Sequence, residues 1–600
     1  MVPPERRPYR TPMQLIFDRI ELADGRRAPL GGSPGGEHAL DRFVIGIAPS
    51  ITASHVFDTA AQAHSWSWSI AADALAGHSL RSVSIVLRVV DGRGPLRMFR
   101  HGYQSWSPCD VAVFGVDRDP SLAEGSLELV RGVHQADQRV VTDRDELRSE
   151  WLTLLIDDTG SPVLVGFDGG TRHDGTFRLR NGATGPELWC EAFLGDAVLA
   201  AGEERHLHDL LIASGAPAED LLAGWAIHAG QVGRARVDAP YQVGWCSWYH
   251  YFHDVTEADL DHNLALADSW PFDVFQLDDG YQSAIGDWLI TNEKFPSDIG
   301  SIADRIAAAG RTPGIWIAPF LAAPDSQIAT KHPEWLATFP DGSPLITMFN
   351  PPWGGGMGGF MYGLDTTHPE VIEHLEGLAR TLVNVGFDYL KLDFTFSPAY
   401  DGVWHDSSQT PAQRVRSGYD AIRRGAGDAF LLGCGSPQSN VVGVVDGNRI
   451  GPDVAPSWPI EAKTEPLAGY RGSQPSTRNA WFNTAARSFM HRRLWLNDPD
   501  CLMLRNAETE LTAEQMRTWA LAVGVSGGMA LVSDDLALVD ARGRALLDEA
   551  IELGRAADEA ARSGEVPTSP DLLAGSAPTA LSSQSFTLTV NAESGGSRSD

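Results

Sequence analysis

The feature that most constrains this chain is a change of texture near residue 237. Beyond it, short apolar runs alternate with helical patterns, and several of the runs end in acids. The strand candidates are residues 243–248, 274–277, 314–319, 389–394, 430–434, 449–451, 493–496 and 528–532. Between them, Val371, Ile372, Leu375, Leu378, Ala379, Leu382 and Val385 recur at helical spacing, with Gly386 as a stop signal, and residues 301–309 form a second helical stretch closed by Gly310. Eight βα units over about 300 residues predict a (β/α)8 barrel. An open doubly wound sheet would call for a glycine-rich turn after its first strand, and none follows residue 248.

The barrel is expected to span residues 237–535 within a multidomain chain. Residues 1–236 read as an N-terminal antiparallel β-sandwich with a linker helix, because β-rich runs and turn signals alternate over 13–214. One predicted hairpin joins 151–156 to 163–167 through the turn at 157–162, and the linker helix falls at 216–234. Residues 536–600 should supply a helix to about residue 563, a strand at 586–590 and a structureless tail from 593. The stretch 322–365 is too long for an ordinary loop and reads as an active-site rim. Its Gly354-Gly355-Gly356 lacks the Gly-Lys-Ser/Thr of a phosphate cradle and reads as a flexible loop.

Composition narrows the partners. A net charge of −31 opposes nucleic acid and favours a neutral or weakly charged substrate. No run of about 18 apolar residues is present, and the Pro- and Arg-rich start at residues 1–13 lacks the apolar stretch of a secretory signal, so no membrane partner is expected. Five scattered cysteines, Cys109, Cys190, Cys246, Cys434 and Cys501, show no metal spacing and suit a reducing, cytoplasmic setting without disulfides.

Catalytic groups of such barrels lie where strands end. The acids there are Asp278 and Asp279 after the second strand, Asp393 after the fourth, Asp453 after the sixth, and Asp498 and Asp500 after the seventh. Cleavage of a glycosidic bond uses paired carboxylates of this kind. Lys391 and Asp393, two apart on one strand, should face the same way, with the ammonium holding Asp393 ionised; the bland alternative is an ion pair filling the barrel. Gly451-Pro452 forces a turn that swings Asp453 over the opening, with Arg449 to orient it, although alone this is a weak signal. Asp278 and Asp279 suit either a divalent metal or sugar hydroxyls. The third strand ends in Ala318-Pro319-Phe320 without an acid, which favours hydroxyls. Trp245, Trp248 and Trp316 are candidate sugar platforms, of which one can be purely structural. His250 and His253 lack a matching ligand cluster, and Cys434 lacks a histidine partner, so Cys434 reads as a small pocket-lining residue.

With Gly244-Trp245-Cys246-Ser247-Trp248, Leu277-Asp278-Asp279-Gly280-Tyr281, the run from Gly314 to Phe320, Lys391-Leu392-Asp393-Phe394 and Arg449-Ile450-Gly451-Pro452-Asp453, the chain resembles the bacterial α-galactosidases (melibiases) of glycoside hydrolase family 36. The resemblance implies a retaining double displacement with Asp393 as nucleophile and Asp453 as general acid/base, and no metal or other cofactor. It also implies a small carbohydrate substrate, an α-galactoside, held by Asp278, Asp279, Lys391, Arg449, Trp248 and Cys434, beside which Trp316 stands as a substrate-binding candidate from its place on the third strand. Trp106, in Gly102-Tyr103-Gln104-Ser105-Trp106-Ser107, matches an N-terminal residue that reaches over the barrel mouth. The chain departs from the best-known members in Leu392, where they carry tryptophan, and in a short C-terminal β region, which leaves homo-oligomerisation open. An α-N-acetylgalactosaminidase or galactosyl transferase would use the same two aspartates. A non-catalytic sugar-binding relative would keep the fold alone.

Overall fold

The computed structural model describes residues 13–599 apart from 24, 26, 30–41, 46–49, 59–62, 73–76, 118–145, 355–357 and 459–474. The start of the chain and the glycines at 355 and 356 therefore lie outside the described residues.

Eight parallel strands form the central sheet. They are β1 (Val243–Cys246), β2 (Val274–Leu277), β3 (Thr312–Ile317), β4 (Tyr389–Leu392), β5 (Phe430–Gly433), β6 (Gly447–Arg449), β7 (Leu496–Asp498) and β8 (Ala530–Val532). They lie in the order β7-β6-β5-β4-β3-β2-β1-β8, and the Met529 amide donates to the Asn497 carbonyl at 3.0 Å across the remaining seam. The strands are buried on both sides, as the helices packed outside a parallel barrel require. The helical pattern before β4 forms Pro369–Asn384, with a proline in its first turn and Val371, Leu375, Leu378, Ala379 and Leu382 turned inward.

Two strands sit apart from their sequence-based positions. The sixth ends at Arg449 rather than beginning there, and the seventh runs to Asp498. Both carry buried polar residues, Asn448, Arg449, Asn497 and Asp498, where apolar periodicity would have marked a strand. The polar side chains are there for the barrel interior and its mouth, so the local hydrophobic signal is missing.

N-terminal to the barrel lie an antiparallel six-stranded and an antiparallel nine-stranded sheet. The hairpin is present, pairing Leu152–Ile156 with Val163–Phe167, and Asp157 accepts from the Thr159 amide and hydroxyl in its turn. Helix Ala218–Gly233 buries Leu221, Leu222, Trp225, Ala226 and Ala229, and the Trp225 indole donates to the Phe167 carbonyl. It thereby ties the sandwich to the barrel side, where Trp225 also meets Phe489.

The long insertion after β3 has structure of its own. Leu321–Ala322, Phe360–Gly363 and Ile346–Phe349 form a small antiparallel sheet, and Pro351–Trp353 makes a 3-10 turn beside it. Beyond the barrel, helix Ala541–Arg562 packs on the helix Ala513–Ser526. The structureless tail expected from residue 593 is corrected: Ser597–Ser599 pairs with Phe586–Val590, which pairs with Ala580–Ser583. The turn at Gly595 has φ near +71° and lies against Trp458, a contact that glycine and serine composition does not advertise.

Candidate active site

The strand-end acids converge at the C-terminal mouth of the barrel, and each is held by a different set of donors. Asp393 directly follows β4; its amide still bonds to the Ile317 carbonyl of β3, and the chain then turns out through Phe394 at φ +51°. The carboxylate is buried. The Trp316 indole donates to Oδ2 at 2.9 Å and the Phe394 amide to Oδ1 at 2.8 Å. Burial pushes its pKa above the ordinary carboxylate range. The Lys391 charge and the indole bond pull the other way, while the negative charges of Asp453 and Asp278 add to the rise.

Lys391 does face inward with Asp393, but its direct partner is different from the one expected. Its Nζ lies 2.9 Å from Asp278 Oδ2, an oxygen that also receives Gln276 Nε2 at 2.5 Å and the Cys246 thiol at 3.4 Å. The ammonium reaches Asp393 through its field only. Although burial disfavours its charge, the surrounding acids, Asp278 first, hold Lys391 protonated. The Asp278 Oδ1 atom caps the Asp279 amide at 2.9 Å.

Asp279 points to other partners. Trp353 Nε1 donates to Oδ2 at 2.7 Å, Gln282 Nε2 to Oδ1 at 2.6 Å, and His253 Nδ1 lies 3.1 Å from Oδ2. Trp353 comes from the insertion after β3, and its ring approaches Trp316 and Phe394 at centroid distances of 6.2 and 5.1 Å. The insertion therefore forms part of the wall of the mouth. Trp248 stands edge-on to His253 at 4.9 Å, whereas Trp245 is core, stacked on Phe275 at 4.2 Å. Among the described residues His250 meets the Tyr251 ring edge-on at 4.6 Å and lies 3.8 Å from Glu508.

On the opposite side, one buried guanidinium gathers three carboxylates. Arg449 Nη1 is 3.2 Å from Asp453, Nε 3.0 Å from Asp498 and Nη2 2.8 Å from Asp500. Asp453 is a third exposed, while Asp498 and Asp500 are buried. Asp500 also accepts from the Tyr249 hydroxyl and from the amide of Val454, the residue after Asp453. Burial raises the Asp500 pKa to about 7 against the pull of Arg449.

Cys434 follows β5 with its amide bonded to Leu392 and its thiol buried, which pushes the thiol pKa up and makes it a poor nucleophile. Trp106 arrives from the N-terminal domain. Its ring meets Phe394 edge-on at 5.0 Å, and a Cβ added at Gly435 would lie 3.1 Å from it. The sequence-based candidates thus come together, apart from Trp245. Sequence reasoning placed Trp353 in the rim and Asp500 among the strand-end acids without a partner for either, and gave no role to Tyr249 or His253. The adjacent Asp498-Pro499-Asp500 acids and the Pro351-Pro352-Trp353 turn were visible signals, but nothing local tied either to a partner.

A family model described as melibiase matches residues 241–412, from just before β1 through β4. The chain is similar in structure to TtGalA, an α-galactosidase of Thermus thermophilus solved with p-nitrophenyl α-D-galactopyranoside. The TM-score is 0.66 at 27% identity, covering 85% of this chain and 94% of that one. It is 28% identical over 217 residues to the A type blood α-D-galactosamine galactosaminidase of Flavonifractor plautii, which is 34% of this chain and 20% of that protein. To α-galactosidase AgaA of Geobacillus stearothermophilus it is 24% identical over 178 residues, covering 28% and 22%. The chain spans about a fifth of the length of these two curated relatives. Among the described residues no helix is long and apolar enough to cross a membrane.

Proposed function

We propose that this protein is a retaining α-galactosidase that releases terminal α-linked galactose from small galactosides, with Asp393 as nucleophile and Asp453 as general acid/base. The observation that carries the reading is the contrast between these two carboxylates at one mouth. Asp393 is buried and receives one N–H on each oxygen, whereas Asp453 is a third exposed and is held through one oxygen by Arg449. The first environment suits a fixed nucleophile and the second a group that exchanges protons with a leaving group and then with water.

In the first step an Asp393 oxygen bonds to the anomeric carbon while the glycosidic bond breaks, and the Asp453 proton passes to the departing oxygen. In the second, Asp453 takes a proton from water, whose oxygen displaces Asp393 and frees galactose. Asp278, Asp279, Lys391 and Arg449 supply hydroxyl partners, while Trp106, Trp248, Trp316 and Cys434 bound the ring. The likeness to a Thermus enzyme crystallised with an α-galactoside supports this substrate class. The five free, buried cysteines accord with a cytoplasmic setting.

Hydrolysis of p-nitrophenyl α-galactoside tests the activity, and its absence in the wild type would sink the reading. For the mechanism, Asp393→Gly should be inactive until azide is added, when it should yield the β-galactosyl azide. Asp453→Ala should retain far more activity on nitrophenyl galactosides than on natural ones, since a good leaving group needs little protonation. The Flavonifractor relative favours one rival, cleavage of a 2-acetamido sugar. Faster hydrolysis of the 2-acetamido analogue than of the galactoside would select that rival.

A further inference from the structure

Arg487 is a fully buried guanidinium whose charged and thiol surroundings among the described residues include Cys109 but no carboxylate. Each of its five N–H groups is instead used on a neutral acceptor. Nη1 donates to the carbonyls of Ser105 at 2.8 Å and Ile450 at 2.7 Å, Nη2 to those of Gly102 at 3.0 Å and Gln104 at 3.1 Å, and Nε to His101 Nε2 at 3.2 Å. His101 Nδ1 faces the Glu150 carbonyl at 3.0 Å, so its proton resides there and Nε2 is left to accept. Burial lowers the His101 pKa and keeps the ring neutral, as this arrangement needs.

These acceptors belong to two separate loops. Four lie in the N-terminal-domain segment that carries Trp106, and the fifth, Ile450, stands just ahead of Gly451-Pro452-Asp453. One turn earlier on the helix Thr477–Ala486, Asn483 accepts from the Cys109 amide at 2.9 Å and donates to the Ser107 carbonyl at 3.1 Å. Asn483 therefore grips the Trp106 segment alone, while Arg487 grips that segment and the Asp453 turn together. Among the described residues Trp106 finds no partner for its buried indole N–H beside Phe394, next to Asp393.

We propose that Arg487 is a positioning residue that sets Trp106 and Asp453 in register across the mouth, so that sugar binding and proton transfer depend on a side chain remote from both. A planar fork suits this task. Nη1 alone bridges the two loops through Ser105 and Ile450, and the other donors hold three more acceptors; the lysine ammonium ends short of the Nη1 position and carries three donors rather than five, so it does not reproduce this set. The inference rests on the α-galactosidase reading, but the clamp itself can be measured without substrate.

In Arg487→Lys, hydrogen exchange of 101–109 and of 450–454 should accelerate together. With nitrophenyl and phenyl α-galactosides of graded leaving-group pKa, kcat/KM should fall about 100-fold. KM should rise, and the dependence on the leaving group should steepen. Free guanidinium ion should restore activity to Arg487→Gly. Asn483→Ala should loosen 101–109 only, raising KM with an unchanged leaving-group dependence. A purely structural clamp would lower the melting temperature of Arg487→Lys while leaving KM, kcat and leaving-group dependence at wild-type values, and that result overturns the proposal. If neither Arg487 variant folds, an unchanged KM in Asn483→Ala overturns it. A wild-type protein that turns over no α-galactoside would instead defeat the functional reading, with the exchange result standing independently.

Discussion

Trp316→Phe tests one bond to the proposed nucleophile. The substitution keeps an aromatic ring in the third strand and removes the indole N–H, which lies 2.9 Å from Oδ2 of the buried Asp393, together with part of the ring packed on Trp288 and Trp353. A hydrogen bond to a charged group contributes about 1.5–3 kcal/mol. That bond stabilises the carboxylate and not the carboxylic acid, and 1.36 kcal/mol corresponds to about one pH unit. The Phe394 amide and the field of Lys391 remain to oppose burial. Without the indole bond, protonation of Asp393 becomes easier, so the acid limb of kcat/KM should move to higher pH by about one to two units. The plateau should change less, because charge leaves Asp393 as it bonds to the sugar. The assay is a pH profile of kcat/KM with p-nitrophenyl α-galactoside, which follows the free enzyme. An acid limb that stays in place while the plateau falls would refute the link between this bond and the titrating group.

Lys391→Met removes the ammonium beside buried Asp278 and should cost about 3–5 kcal/mol of stability in urea unfolding; it should also raise the acid limb, and a loss near zero would mean that Asp278 is readily neutralised. Asp558, which receives His491, two nitrogens of Arg492 and Arg562, has its pKa held well below the usual range by these partners against its burial. Its stabilisation is present above the unfolded carboxylate pKa, about 4, and fades as pH falls below it. Asp558→Asn should therefore lose about 3–5 kcal/mol at pH 7 and clearly less at pH 3 in the same unfolding assay, and equal losses at both would count against the ion pairs.

The barrel was legible because its strands pack between layers and so read as apolar runs bounded by acids, as at Val274–Leu277 and Tyr389–Leu392. The reading slipped at Gly447–Arg449 and Leu496–Asp498, where buried asparagine, arginine and aspartate replace apolar residues. For the site, spacing put Lys391 on the same face as Asp393, but spacing along one strand cannot reveal a partner across the barrel, and Asp278 is that partner. Trp353 was out of reach for the same reason. Its contact with Asp279 spans 74 positions in the chain and depends on how the insertion folds. Trp106 was recognisable only through its motif, since no local pattern announces a contact between the sandwich and the barrel mouth.

The insertion after the third strand forms a separate three-stranded sheet and takes its outside backbone bonds from Ile285 and Val403 rather than from the barrel strands, so the barrel ladder does not rely on it. Exchange or extension of that module can remodel how deep an opening is offered, and to which sugars, through the single indole it lends to Asp279. Under the proposed function, substrate range could then change through the insertion while the carboxylates at the strand ends stay in place.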